Sequence, residues 1–443
     1  MEQGIFLALV AFFIGILTGL PLCWVFLGST FIGLLLIKGS FSFMAGTFYH
    51  AIDNYILMAI AFFIYAGNLI SESGISARLV RLSYALVGRI RGGLVDVGIV
   101  SAVFMGALTG SSLPVIAALI PILVPGLEKL GYERRYVTAV LCSSSFLGYL
   151  IPPSVPGLIY CLVAQQSVAA VFLATVIPGL ILAGGYILIN TFLCPRYFSP
   201  RAEAPKLPTT FAESIREIGA STWSALPALG CPIIVLFGIY GGIFTPNEAG
   251  AVAVLYTILV GFLIYREMKL SNFWECSKTT VVTMGMIAFL LGFGTVFTRL
   301  LIREGIGELM TQFILGISEN KYIILLMMNI LLLILGMFID GIPILIIVVP
   351  LITPLIQKLD VNMVHLGAII VLNIGLGVVT PPYAISIFLG TKLSNLRYEE
   401  LVPPMVIFLF LVGIPVLLLT TYIPALSLWL PVAVLGKAIV GVP

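Results

Sequence analysis

Residues 108–132 read LTGSSLPVIAALIPILVPGLEKLGY, and this stretch decides the fold because the second half of the chain repeats its pattern. Five prolines of the first half each recur at one constant offset in the second half, and Gly148 falls on Gly377 at the same offset. Chance could align one or two prolines, whereas five at one offset indicate an internal duplication. The period is far too long for a solenoid repeat. The proline pairs are Pro114 and Pro343, Pro121 and Pro350, Pro125 and Pro354, Pro152 and Pro381, and Pro153 and Pro382.

The composition is that of a membrane protein. Of 443 residues, 60% are hydrophobic and only 9% are charged, whereas a soluble protein carries roughly 25% charged residues. From Tyr136 to Pro195 there is no Asp, Glu, Lys or Arg, so this run can cross a hydrocarbon core of ~30 Å more than once. The N-terminal stretch lacks a basic leader and is expected to form a retained span. The net charge of +3 lies in short loops and does not indicate nucleic-acid binding.

Each half contains an apolar run that is interrupted at its centre. Residues 97–125 are broken at Gly110-Ser111-Ser112, which leaves two short arms, 97–109 and 113–125. Neither arm is long enough to span a membrane as a helix. This pattern predicts a re-entrant helical hairpin. The counterpart, 322–357, is broken at Asp340-Gly341 and has longer arms, which by themselves fit a hairpin or two spans. The alignment with the first half favours a hairpin.

A second long apolar run follows each hairpin and carries a proline pair. Residues 136–164 contain IPPSVP, and residues 363–391 contain TPPYA. Proline removes a backbone donor and pushes the preceding residue out of helical geometry. A simple kink is the alternative, but Gly148, Ser154 and Gly377 favour an unwound break. The freed carbonyl groups must then face protein or a polar cavity rather than lipid.

Loop charges differ between the halves. Because positive loops mark the cytoplasmic side, the first hairpin is expected to enter from the cytoplasm and the second from the opposite face. The fold class predicted is therefore an all-α polytopic membrane protein with two inverted repeats. Around the first hairpin the basic residues are Arg78, Arg81, Arg89, Arg91, Lys129, Arg134 and Arg135; around the second they are Arg303, Lys321 and Lys358.

The chain divides into six predicted segments. The stretch RAEAPKLPTTFAESIREIG from Arg201 predicts a short amphipathic surface helix, with a loop containing one helical turn as the alternative. Residues 272–275 suggest a second such element. The segments are N-terminal scaffold helices (1–70), first transport elements (71–165), a scaffold helix with the amphipathic connector (166–221), second scaffold helices (222–278), second transport elements (279–391) and a C-terminal scaffold helix (392–443).

The four breaks predict a site for an anion and a small cation. The half-helices that begin there direct N–H groups and partial positive charge inward, and those that end there present carbonyl oxygens. The cation is expected to be Na⁺. Candidate contacts to the anion are Ser111, Ser112, Ser154, Gly341 and Tyr383. Candidate Na⁺ ligands are Thr109, Gly110, Ser111, Ser145, Gly148, Asp340, Asn373, Gly377 and Thr380.

Several of these candidates have a purely structural interpretation. Asp340 is an intramembrane carboxylate and therefore a functional candidate, but it could equally N-cap the helix beginning at Gly341. Serines in membrane helices more often bond their own backbone, and Asn373 could join two helices. With two histidines and no nucleotide-binding loop, the chain offers little support for catalysis or ATP use.

The motifs resemble the large membrane subunit, DctM type, of tripartite ATP-independent periplasmic (TRAP) transporters. The resemblance implies an elevator-type carrier of the ion-transporter superfamily in the bacterial inner membrane, coupled to Na⁺. It also implies three partners: an organic anion, a periplasmic substrate-binding protein and a separate four-helix DctQ-type subunit. The segments that carry it are SGISARLVRLSYALVGRIRGGL (73–94), the opening stretch, IPPSVPGLIYCLVA (151–164), GIYGGIFTPNEAGAVAV (238–254), LGMFIDGIPILIIVVPLITPL (335–355), LNIGLGVVTPP (372–382) and YIPALSLWLP (422–431).

The chain departs from the family pattern around the expected pocket. Pro114 is new, Val115 replaces the usual acid, and residues 146–149 and 383–386 differ from the family sequence. These departures leave the identity of the substrate open. Two alternatives to the TRAP interpretation are a stand-alone ion-coupled anion carrier and, in another class, an integral membrane enzyme or scaffold.

Overall fold

The computed structural model describes residues 3–89, 92–199, 211–382 and 384–442. Within these ranges it is helical, without a β-strand beyond one isolated bridge between Tyr132 and Phe198. Nine of the described helices are long and apolar enough to cross a membrane. These helices confirm the prediction of an all-α polytopic membrane protein.

The N-terminal part consists of five helices joined by short turns. Asn54 caps α4, since its side-chain oxygen accepts a hydrogen bond from the Ile56 N–H at 2.9 Å, which satisfies one of the free donors of the first turn. The helices are α1 (Gln3–Leu17), α2 (Leu22–Leu36), α3 (Phe41–Ile52), α4 (Tyr55–Glu72) and α5 (Ile75–Val87).

The first interrupted run forms two helices with the break where the sequence predicts it. The predicted arm length is wrong, because the arms have 17 and 18 residues and are longer than expected. The first arm begins before the uncharged run and includes Asp96, whose carboxylate is buried against Asn190. The helices of this part are α6 (Gly93–Thr109), α7 (Ser112–Lys129), α8 (Arg134–Ser144), α9 (Leu147–Leu150), α10 (Val155–Ala164) and α11 (Val168–Leu193).

Four helices connect the two halves. Residues 201–210 of the expected surface helix lie outside the described residues, and the helix that begins at Phe211 continues without a break to Tyr240. Residues 272–275 likewise belong to a single helix of 34 residues. Neither therefore forms a separate surface element among the described residues. The helices are α12 (Phe211–Tyr240), α13 (Pro246–Leu259, extended by a π-helical turn over Val260–Ile264), α14 (Leu270–Arg303) and α15 (Ile306–Ile317).

The second half repeats the helix bounds of the first. The offset that relates the proline pairs also carries both ends of α7 onto the ends of α17, and the start of α8 onto the start of α18. A π-helical turn, Leu409–Gly413, joins α20 to α21. The helices are α16 (Lys321–Phe338), α17 (Gly341–Lys358), α18 (Met363–Gly377), α19 (Ile385–Ser394), α20 (Tyr398–Phe408), α21 (Ile414–Tyr422), α22 (Ala425–Leu435) and α23 (Lys437–Val440).

Two segments assigned to the scaffold from the sequence pack against the transport elements. α11 contacts α6, α9, α10 and α18, and α20 contacts α8 and α19. Buried hydrogen bonds add to this packing: Asn329 donates to Thr421 at 2.8 Å, and His365 bonds Ser427 at 2.6 Å. The other group comprises α1 to α4 and α12 to α14, with α14 packed against α2, α3 and α4.

Candidate functional site

α6 and α7, the predicted first hairpin, are joined at Gly110 and rest on the first broken helix, α8 to α10. Gly110 adopts φ +60°, and a Cβ there would overlap the carbonyl oxygen of Pro153, so this position requires glycine. The Gly110 carbonyl accepts a hydrogen bond from the Val155 N–H at 3.0 Å. The tip of the hairpin and the proline break are therefore one packed unit.

Pairs of glycines bring hairpin and broken helix into backbone contact in both halves. A Cβ on Gly106 would lie 2.8 Å from the Cα of Gly148, and a Cβ on Gly336 would lie 2.9 Å from the Cα of Gly377. Only residues without a side chain permit this approach. The two halves thus make the same close contact, with Gly148 and Gly377 in equivalent places.

α16 and α17, the predicted second hairpin, are joined at Asp340, which caps α17. Its carboxylate accepts a hydrogen bond from the Gly341 N–H at 2.8 Å. The capping interpretation is therefore confirmed by the geometry. The rest of the carboxylate is exposed to a cavity and is free to bind a cation, a role that stays a prediction.

Both hairpin tips line one central cavity of about 920 Å³. Of the candidate residues, Thr109, Ser111, Asp340 and Gly341 line it. Tyr383 lies outside the described residues. The candidates that do not line the cavity are Gly110, Ser112, Ser145, Gly148, Ser154, Asn373, Gly377 and Thr380.

Ser112 and Ser145 lie in a buried hydroxyl cluster beside the cavity. The Ser112 hydroxyl is 2.8 Å from that of Ser145 and 3.3 Å from that of Ser386, and all three side chains are buried. Ser145 also donates to the Cys142 carbonyl at 2.8 Å. In the sequence, Ser386 stands out only as a departure from the family pattern. The cluster joins the first hairpin to both broken helices.

Other candidate side chains are engaged in local hydrogen bonds. Ser154 donates to the Tyr149 carbonyl at 2.5 Å and accepts from the Gly157 N–H at 3.1 Å, which makes it the N-cap of α10. Thr380 donates to the Leu376 carbonyl at 2.6 Å, as threonines in membrane helices commonly do. These bonds account for Ser154 and Thr380 without a ligand.

Asn373 joins two helices. Its amide nitrogen donates to the backbone and side-chain oxygens of Asn329, at 3.0 and 3.1 Å. Its own side-chain oxygen is buried, with no hydrogen-bond partner among the described residues. The structural interpretation of Asn373 accounts for the nitrogen, and the oxygen alone is left for a cation.

The chain also matches a family of known proteins. A family model described as "Tripartite ATP-independent periplasmic transporter, DctM component" matches residues 9–426. The chain belongs to this family. The family is one of transporter permeases rather than enzymes, so the DctM chain is a multi-pass membrane protein of transport, and the predicted family membership is confirmed.

Relatives of this DctM chain are named after different substrates. It is 31% identical to the isethionate TRAP transporter permease protein DctMQ of Oleidesulfovibrio alaskensis, over 94% of this chain and 64% of that protein. It is 34% identical to the C4-dicarboxylate large permease DctM of Pseudomonas aeruginosa, over 86% of this chain and 87% of that protein. It is 32% identical to the sialic acid large permease SiaM of Vibrio cholerae, over 89% of this chain and 90% of that protein.

Solved structures share the fold of this DctM chain. The YdaH transporter of Alcanivorax borkumensis matches with a TM-score of 0.59 at 13% identity, over 87% of this chain and 89% of that one. MtrF of Neisseria gonorrhoeae also matches with a TM-score of 0.59 at 14% identity, over 88% of this chain and 85% of that one. At such low identity these matches show the fold alone.

Two polar features of this DctM chain escaped sequence reasoning. Asn68 of α4 lines the central cavity and also an adjoining vestibule of about 610 Å³ that contains Glu72 and Glu275. Asn190 donates to Asp96 at 2.7 Å and accepts from the Tyr136 hydroxyl at 2.6 Å, with all three side chains fully buried. Asn68 and Asn190 could have been singled out from the sequence, because each is a lone polar residue within an apolar run.

Proposed function

We propose that the chain is a Na⁺-coupled secondary importer of an organic anion, which a periplasmic substrate-binding protein delivers at the bacterial inner membrane. One observation carries the proposal: four helix N-termini line the same cavity. Ser111 precedes α7, Gly341 begins α17, Val155 begins α10 and Ile385 begins α19. Helix N-termini offer partial positive charge to an anion. The first N–H groups of α10 and α17 already donate within the protein, so these two helices act on the anion mainly through that partial charge.

Asp340 is the proposed centre of the Na⁺ site. It is the charged side chain of the described cavity lining, and a carboxylate with nearby carbonyl oxygens suits a hard cation. Thr109 and Ser111 share the cavity and are the proposed ligands on the first hairpin. The Gly110 carbonyl is weaker as a candidate because it already accepts from Val155.

The remaining candidates are proposed to bind the cation only through a backbone carbonyl oxygen or an unpaired side-chain oxygen. Gly148 and Gly377 lie where the first halves of the broken helices give way to the breaks, although the Gly377 carbonyl accepts from the Thr380 N–H at 3.1 Å. Asn373 keeps one oxygen for a cation. Four candidates are proposed to stabilise the helix breaks through hydrogen bonds rather than to contact the ion or the solute: Ser112, Ser145, Ser154 and Thr380.

We propose an elevator mechanism between inverted repeats. The matching helix bounds and the two glycine contacts support the repeat. The moving body would contain α6 to α11 and α16 to α23, because α11 packs against α6 and both broken helices, and the C-terminal helices pack against α11 and the broken helices. The scaffold would contain α1 to α4 and α12 to α14.

The proposed partners follow from the tripartite family. A small four-helix DctQ-type subunit would extend the scaffold in the membrane, and a periplasmic binding protein would deliver the solute. The relatives named for C4-dicarboxylates and sialic acid support an organic anion as that solute.

Two substitutions of Asp340 separate its role as the N-cap of α17 from its proposed role as a Na⁺ ligand. Asparagine is as good an N-cap as aspartate, so Asp340→Asn keeps the cap and removes the charge, while Asp340→Ala removes both. In liposomes containing the complete transporter, we expect both variants to lose Na⁺-dependent uptake, with Asp340→Asn retaining wild-type thermal stability. The exposed Asp360→Asn is the matched control. Unchanged Na⁺ dependence in Asp340→Asn would refute the ligand role, and uptake that ignores a Na⁺ gradient in the wild type would refute the coupling.

A further inference from the structure

The charge of the cavities restricts the solute. The described lining of the central cavity contains Asp340 but no Lys, Arg or His. The described lining of the vestibule contains Glu72 and Glu275, again without a basic side chain. Helix N-termini and a bound Na⁺ can balance one carboxylate at the hairpin tips, but a second carboxylate would meet no cationic side chain among these residues.

The central cavity has one polar end and one apolar wall. Thr109, Ser111 and Asp340 supply the polar end. The wall is a stripe along α14, with spacings of four, three and four residues that place its members on one helix face. Val282 and Met286 are each 62% exposed, and Phe289 is 55% exposed, so the described part of the chain does not cover this face. The stripe consists of Val282, Met286, Phe289 and Phe293.

The other polar members of the lining carry no charge. Asn68 donates its amide to Thr280 at 2.9 Å, and the remaining polar groups, Cys23, Trp24, Tyr149 and Thr283, are neutral. They can hydrogen-bond hydroxyl or amide groups, but they cannot compensate for an ion taken out of water.

We infer that the solute is an amphiphilic monocarboxylate, with its carboxylate at the hairpin tips and an apolar body against the α14 stripe. This inference rests on the proposed function and specifies its substrate class. A second carboxylate would be desolvated against the stripe without a cationic partner, and hydroxyls placed there would lie against apolar side chains. Each methylene buried there instead raises affinity by about fourfold.

Ligand binding to the purified protein tests this in the absence of the periplasmic binding protein. Thermal stabilisation would be measured in NaCl and in choline chloride, with butyrate, hexanoate, octanoate, succinate, adipate and gluconate as probes. We expect the half-maximal concentration of the monocarboxylates in NaCl to fall by about fourfold per methylene. Succinate, adipate and gluconate should be at least ten times weaker than hexanoate. Octanol, which lacks the carboxylate, controls for nonspecific binding.

A paired substitution tests the stripe itself. Met286→Lys places a cation in the cavity lining, whereas Val281→Lys changes another exposed residue of α14, which does not line either cavity. We expect Met286→Lys to weaken hexanoate and strengthen adipate, and Val281→Lys to do neither. Should the lysine variants fail to fold, Met286→Thr and Val281→Thr replace them, with a loss of hexanoate affinity expected for Met286→Thr alone.

The outcomes distinguish this inference from the proposed function. Na⁺-dependent binding that favours succinate, adipate or gluconate would overturn the inference and leave the proposed function standing. An equal loss for every probe in Met286→Lys would also overturn it, because the stripe would then not distinguish one solute from another. If no carboxylate gave Na⁺-dependent stabilisation, the proposed function and the inference would both fall.

Discussion

Gly106→Ala perturbs the backbone contact that holds the first hairpin against the first broken helix. The new Cβ would lie 2.8 Å from the Cα of Gly148, 3.1 Å from its nitrogen and 3.3 Å from the Leu147 carbonyl oxygen. Carbon atoms pack at about 3.5–4.0 Å, so the break must retreat by about 0.7 Å. Overpacking of this kind costs ~1–3 kcal/mol.

The matched control lies in the same hairpin. Gly126 is inside α7, and a Cβ added there would have no atom within 4 Å. Both changes gain ~1 kcal/mol of helix propensity, and that gain cancels in the comparison. Gly106→Ala should therefore be less stable than Gly126→Ala by ~1–3 kcal/mol.

Thermal unfolding of the two purified variants, followed by fluorescence-detected size-exclusion chromatography, measures the difference. We expect Gly106→Ala to melt several degrees below Gly126→Ala, and Gly126→Ala to melt at or above the wild type. If Gly106→Ala melts at or above Gly126→Ala, the close packing of hairpin and break is wrong.

Two further substitutions probe the polar contacts. Asn190→Ala leaves the Asp96 carboxylate and the Tyr136 hydroxyl buried without this partner, so thermal unfolding should show a loss of roughly 1–3 kcal/mol for each group; a wild-type melting temperature would contradict the network. Arg78→Lys keeps a positive charge beside Glu267 but loses the guanidinium plane 3.9 Å from the Tyr265 ring centroid, so stability should fall by ~0.5–1 kcal/mol, whereas the exposed Arg81→Lys should have no effect on the same measurement.

The positions of the hairpin breaks could be predicted because their causes are local. Glycine and serine at 110–112 and Asp340-Gly341 interrupt the helices wherever the surrounding chain lies. The arm lengths could not be predicted in the same way. A charged residue usually marks a loop, but Asp96 is buried in α6 because Asn190, far along the chain in α11, donates to it.

The sequence also predicted that the helix breaks would meet at one candidate site, since helix ends carry partial charge in any fold. The side chains that face the cavity were not predictable. Ser111 lines the cavity, whereas its neighbour Ser112 points into a cluster with Ser386, a residue of the opposite half of the chain. Tertiary contact decided between two adjacent serines of the same type.

Local features of the amino-acid sequence account for the helical fold, the many apolar spans and the helix breaks at two matched sets of prolines and glycines. Hydrophobicity, missing backbone donors and glycine conformations act within a few residues, so they can be read along the chain. Tertiary contacts were needed to place α11 and the C-terminal helices against the broken helices and to turn an apolar face of α14 toward the cavity. These features depend on which helix faces meet, and that is decided by contacts between residues far apart in the chain.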